Sequence, residues 1–228
     1  MNMEVTSLAE RQGSDKRLHF AGSFRQQGQP GGTMNQAAWR SGVALAVLAA
    51  ASACATAVPI EAGGVPFDEA IRLGGSPLLL NGAGVRNKAV FKVYAAGLYL
   101  STRATTTEEV LSMAGPKRLA ITMLHDVDAD VLGRLFTHGV EDNSPRSRMS
   151  QLVPGLLRMG QIFSDQKELK AGDSLVIDWI PGAGTILTIK GATQGAPIRE
   201  PEFFDALLRI WLGPVPADWK LKDALLGK

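Results

Sequence analysis

From Leu80 to Leu100 the chain reads Leu-Asn-Gly-Ala-Gly-Val-Arg-Asn-Lys-Ala-Val-Phe-Lys-Val-Tyr-Ala-Ala-Gly-Leu-Tyr-Leu. The second half is rich in β-branched and aromatic residues and the middle is polar. The whole reads as two strands around a tight turn at Asn87-Lys88. One cation, Arg86, closes the first strand, and one phenol, Tyr94, lies within the second. How these strands pair decides whether a guanidinium and a phenol share a face.

Register follows from the length of the connection, because strand side chains alternate between faces. With a three-residue connection over 87–89, Arg86 pairs with Val90, Gly84 with Lys92 and Gly82 with Tyr94. Arg86 and Tyr94 then point the same way, with Gly82 under the Tyr94 ring. With Asn87-Lys88 alone as the loop, Arg86 pairs with Ala89, and the two groups fall on opposite faces. A binding site requires the first register, or a bulge that restores it. Otherwise the arginine is an ordinary solvated turn residue and the tyrosine an ordinary strand packing residue.

Beyond the hairpin, periodicity and punctuation predict the remaining elements. Residues 59–64 read as a linker and 67–73 as a first strand, ended by Gly74-Gly75. A threonine cap followed by Glu108 and Glu109 opens a short helix. Residues 118–124 alternate as a strand. Two amphipathic helices follow over 128–140 and 148–163, with a kink expected at Pro154-Gly155. Residues 174–180 and 185–190 make a second hairpin, and 193–198 another short strand. The last long helix starts at Pro201, carries Phe203, Phe204, Leu207, Leu208 and Trp211 on one face, and stops at Gly213-Pro214. Residues 218–226 form a short closing helix. Strands, helices, strands and a helix in that order imply an α+β fold: a long antiparallel sheet with helices packed on one face.

Composition matters mainly for what it excludes. An apolar fraction of 45% suits a globular protein with a real core. A single cysteine, Cys54, allows no internal disulfide, and His19, His125 and His138 show no metal-ligand spacing. No metal and no cofactor are expected. Residues 34–57 combine Arg40, an apolar run over 43–51 and small residues up to Ala57, the pattern of a secretory signal peptide. The expected location is therefore outside the cytoplasm, in the periplasm. The run is too short for a membrane span, which needs about 20 apolar residues. Cys54 offers a lipoprotein alternative, ranked lower because Ala51-Ser52-Ala53 lacks a large aliphatic residue. Residues 1–33 are polar and aperiodic, and are expected to be an untranslated or disordered extension before a true start at Met34. Removing the five basic and three acidic residues of 1–57 from the 24 and 22 of the chain leaves 19 of each over 58–228. That neutral domain argues against nucleic acid or an anionic membrane surface as a partner.

No nucleophile, phosphate-loop or metal motif stands out. Asn81-Gly82-Ala83-Gly84 lacks the third glycine of a nucleotide loop and feeds a strand. Two glycines within a strand point instead to something bulky crossing close by.

At this hairpin the sequence resembles the chalcone isomerase family. Gly82-Ala83-Gly84-Val85-Arg86 is similar to its Gly-x-Gly-x-Arg strand, and Phe91 to Leu100 to its Phe-x-x-x-Gly-x-Tyr-Leu strand. Residues 173–190 and 203–213 resemble the bacterial chalcone-isomerase-like branch, and the likeness spans about 65–227. It implies the chalcone isomerase-like form of the α+β fold, with a cleft between sheet and helices, and two possible functions. Plant enzymes close a chalcone to a flavanone; other members hold a fatty-acid carboxylate with the hairpin arginine and a tyrosine. Arg86 falls on the family arginine. Tyr94 falls where the enzymes have a catalytic threonine and the fatty-acid binders their tyrosine. The tyrosine and asparagine that the enzymes place on the helix after Leu124 have no counterpart over 130–139, nor has their threonine at Ile198-Arg199-Glu200.

The resemblance and the residues together lead to one expectation. This is a secreted, non-catalytic domain that binds a fatty acid or similar small amphipathic acid in a cleft, with Arg86 and Tyr94 at the head group and an apolar tunnel for the tail. The alternative is an intramolecular lyase of the chalcone isomerase type using Arg86, which needs further donors on the carbonyl oxygen as enolate charge develops. A third reading is a partner-binding domain with a collapsed cleft. Cleft shape discriminates among them.

Overall fold

The computed structural model describes residues 59–228. The expected extension over 1–33, the signal peptide over 34–57 and Cys54 lie outside the described residues. Where a linker was expected, the chain folds into a small hairpin of β1 (Ile60–Ala62) and β2 (Val65–Phe67). Gly63 and Gly64 make its turn, both at positive φ, which glycine adopts without steric cost. There follow β3 (Ala70–Leu73), β4 (Ser76–Lys88), β5 (Phe91–Leu100), α1 (Thr107–Ser112), β6 (Lys117–Met123) and β7 (Val127–Asp128). Two long helices come next, α2 (Ala129–Asn143) and α3 (Met149–Ser164). Then come β8 (Glu168–Leu169), β9 (Ser174–Ile180), β10 (Gly184–Ile189) and β11 (Ala192–Thr193), and finally α4 (Pro201–Leu212) and α5 (Trp219–Leu225).

Seven strands form one antiparallel sheet in the order β11-β10-β9-β6-β5-β4-β3. The strand expected over 193–198 shrinks to β11 and a single bridge between Thr185 and Ile198. The helix starts follow their local chemistry. Thr106 and Glu109 satisfy each other's end of α1 as a capping box, and Asp128 accepts from Val131 N at the start of α2. Helix α3 continues through Pro154 near its beginning. Gly155 is needed there because a Cβ would run into the Phe203 ring of α4.

The helices lie on one face of the sheet. Leu98, Leu119, Ile121 and Leu175 from the strands meet Leu132, Phe136, Met159 and Trp211 from the helices in one continuous core. Val131, in the first turn of α2, is exposed. A smaller core lies on the opposite face, where Phe67 of the β1–β2 hairpin packs with Leu78, Leu80 and Tyr99. Among the described residues no helix is long and apolar enough to cross a membrane, and no cluster of three or more metal-ligating side chains forms.

Candidate functional site

The β4–β5 hairpin turns at Ala89-Val90, two residues later than the polar pair suggested. Ala89 sits at φ 54, in the left-handed region such tight turns demand. Neither register considered from the sequence occurs. Lys88 pairs with Phe91 and Asn87 with Lys92, and then the register shifts so that Arg86 lies directly opposite Tyr94. Val93 is the extra residue, a β-bulge on β5. The bulge, not the loop length, brings the guanidinium and the phenol to one face. Gly82 pairs with Leu98, not with Tyr94, because a second bulge at Asn81 interrupts β4.

Helix α5 lies across the two glycines. A Cβ on Gly82 would strike the Ala224 carbonyl, and one on Gly84 would come within 2.6 Å of the Ala224 Cβ. Asn81 fastens this crossing. Its amide nitrogen donates to Ala104 O at 2.9 Å and Leu225 O at 2.7 Å, and its amide oxygen accepts from Ala104 N at 2.7 Å. Buried polar groups are tolerated when paired in this way.

On the helix side, the Arg86 guanidinium carbon stands 5.5 Å from the Tyr94 ring centroid, a cation–π arrangement. Tyr94 is only 1% exposed. Its hydroxyl oxygen accepts a 2.8 Å hydrogen bond from Trp211 Nε1 of α4, and that indole stands edge-on to Phe136 at 5.2 Å. Burial pushes the Tyr94 phenol up; the Arg86 charge and the Trp211 hydrogen bond oppose the shift without cancelling it. At neutral pH Tyr94 is therefore a neutral phenol that accepts from Trp211 and has its own proton to donate. Arg86 Nε is buried and has no hydrogen-bond partner. The nearby Asp218 carboxylate accepts from the backbone N–H groups of Asn87, Lys220 and Leu221.

Arg86 and Tyr94 line a cavity of about 170 Å³, walled by Leu135, Phe136, Ile210 and Pro216, with His138 and Asp142 also on its wall. The apolar tunnel expected behind them is filled. Met159, Phe163 and Trp211 are packed into the core with at most 1% exposure. A larger recess, about 520 Å³, lies between the C-terminal end of α2 and the length of α4. Its charged lining is Asp142, Glu202 and Asp205 against Arg148 and Arg209, an acidic excess unsuited to an acid ligand. Of these two, the smaller cavity holds the better chemistry for an anion; a recess of about 260 Å³ lined by Arg158, Arg199 and Glu200 also carries an unpartnered arginine Nε but no phenol.

The other residues singled out from sequence have local roles. Tyr99 packs on the opposite face of the sheet. His125 stacks on Phe91, while Asp126 accepts from Ala171 N, so the pair serves its loop. His138 is exposed and faces Glu141 at 3.2 Å. Phe204 and Trp211 are core as their spacing indicated. Sequence reasoning missed that Trp211 is also the hydrogen-bond partner of Tyr94. Periodicity places a residue on a face but does not say which polar atom it will meet.

A solved fatty-acid-binding protein of Arabidopsis thaliana is similar in fold to this chain. The match has a TM-score of 0.53 at 14% identity and covers 72% of this chain and 92% of that one. The chalcone isomerase-like family matches residues 59–227. This chain belongs to that family. No curated protein matches its sequence.

Proposed function

We propose that the domain is a non-catalytic carrier of a small amphipathic acid, held by its carboxylate between Arg86 and Tyr94. One observation carries this reading: a buried guanidinium nitrogen without a partner lies beside a phenol whose proton is free to be donated, in a cavity with apolar walls. A carboxylate meets both needs with charge-assisted bonds, which are strong where water is excluded. The Arabidopsis protein, a fatty-acid binder by its description, supports the ligand class. The filled tunnel is the outcome that the partner-binding reading anticipates, and what remains for an acid ligand is set by cavity size. About 170 Å³ is below the ~300 Å³ at which pockets begin to enclose a drug-sized ligand. The head group and first few carbons fit, and a longer tail leaves past Val215 and Pro216. In this reading residues 34–57 direct the domain to the periplasm, which the N-terminus of the protein recovered from that compartment would test.

The binding test is titration of the purified protein with medium-chain fatty acids, alongside native mass spectrometry of the protein as isolated. Arg86→Gln should weaken binding about 10- to 100-fold, and Tyr94→Phe by about ten-fold. Equal affinity in wild type and Arg86→Gln would end the proposal. Cyclisation needs donors on both the nucleophile and the developing enolate. The neutral Tyr94 is not a base at neutral pH, and the two remaining polar liners, His138 and Asp142, are exposed. Flavanone formation from added chalcone, lost in Arg86→Gln, would instead establish the lyase.

A further inference from the structure

The described residues expose nine large apolar side chains, and four of them gather at one end. Val90 is 87% and Phe91 57% exposed at the tip of the β4–β5 hairpin; Val215 is 55% and Trp219 61% exposed where α5 begins. A hydrogen bond of 2.9 Å from Asn87 N to Asp218 Oδ2 ties the hairpin end to the start of α5, so both pairs belong to one edge. Lys88 and Lys92 flank the tip and are exposed, Lys220 is exposed, and Lys222 lies 5.1 Å over the Trp219 ring. The acids beside it are Asp218, already bound by three N–H groups, Asp223, Asp142, which lines the cavity with Val215, and Asp126, which follows the His125 stacked on Phe91 and accepts from Ala171 N. Three exposed lysines, Lys88, Lys92 and Lys220, thus flank two aromatic and two valine side chains, while the Lys222 ammonium donates to Gly213 O.

We propose that this edge docks the protein on a bilayer surface containing anionic lipid. Aromatic and aliphatic side chains entering the headgroup layer, flanked by lysines, are the combination that such a surface retains. Single exposed apolar residues are ordinary on a soluble protein; an apolar tip with lysines on both sides is not explained by that. Val215 also precedes Pro216 and Ala217, which line the Arg86–Tyr94 cavity, so the docked face adjoins the cavity. The proposal does not rest on acid binding and stands if that reading fails.

Vesicle flotation of the full chain tests it. Vesicles of phosphatidylcholine with phosphatidylglycerol should carry wild type up at low salt, and pure phosphatidylcholine should carry about ten-fold less or below. Added salt should release it. Val90→Asp with Trp219→Ser should lower binding about ten-fold or more, with acid affinity unchanged. Leu157→Ser, at an exposed site on α3, should bind vesicles like wild type and shows that the effect belongs to this edge. These are exposed positions, and circular dichroism checks that each variant is folded. Equal flotation of wild type and the double variant, no preference for anionic vesicles, or no flotation at all would overturn the proposal. So would a vesicle-free change of oligomeric state in the double variant, which would assign the edge to a protein contact.

Discussion

Tyr94 shows how much chemistry one side chain acquires from its surroundings. In sequence it is one of two tyrosines, in a strand with two equivalent-looking faces. In the fold it carries Arg86 on one side and Trp211 on the other, and its phenol is pushed up by burial. Tyr99, on the far side of the sheet, is pushed up to about 12, chiefly by burial and then by Asp68. Both native values stand above the ordinary 10.0, so the native state holds its phenolic protons more tightly than the unfolded chain. That contribution to stability is complete below about pH 10 and is lost as pH rises through the native values. Since these are the only tyrosines, tyrosinate absorbance of the native protein should stay flat through pH 10 and rise only at higher pH or with unfolding. A native titration centred near pH 10 would show that one phenol is solvated. Both residues were legible in the sequence as candidates; their contact was not, because a single bulged residue decides it.

Among the elements, α5 is the one whose sequence says least about its importance. Seven residues make a weak helix on their own, and Asp218 caps it by accepting from Lys220 N and Leu221 N. Its place is secured by tertiary contacts: Leu221 and Leu225 are buried, and Asn81 holds its last turn. The paired glycines of β4 did signal that something crosses close by, and the crossing is this helix. Gly84→Ala should therefore destabilise the fold by about 1–3 kcal/mol through overpacking against Ala224 and Leu221. A drop in urea midpoint measures it, and an unchanged midpoint would mean that α5 shifts away at no cost. The helices themselves were readable to within a few residues, since caps and 3.6-residue periodicity are local. The β1–β2 hairpin was not. Its strands are three residues each and show no alternation long enough to recognise.

Across the whole molecule, one sheet supports two unequal cores. The helix side holds the large core and the candidate site; the other side is closed by the β1–β2 hairpin through Phe67, which is 4% exposed. Phe67 rests on Gly97, where a Cβ would come within 2.8 Å of its ring. Phe67→Ala should cost about 3–5 kcal/mol, the range for emptying a buried aromatic site, read as a loss of unfolding free energy in denaturant. A loss below about 1 kcal/mol would show that the hairpin contributes little to that face. Exposed apolar side chains behave in the same two-layered way: Val90 and Phe91 are far from Trp219 in sequence, yet the Asn87–Asp218 hydrogen bond ties their elements together. The sequence by itself determined most of the helices and strands, the α+β class and the family, and nominated Arg86 and Tyr94 as candidates, because period, caps and motif spacing are local properties of the chain. Only the tertiary structure decided the register at Val93, the indole that meets Tyr94, the filling of the tunnel and the exposed apolar edge. Each of those depends on atoms far apart in sequence competing for one volume, and packing settles that competition only once the chain has folded.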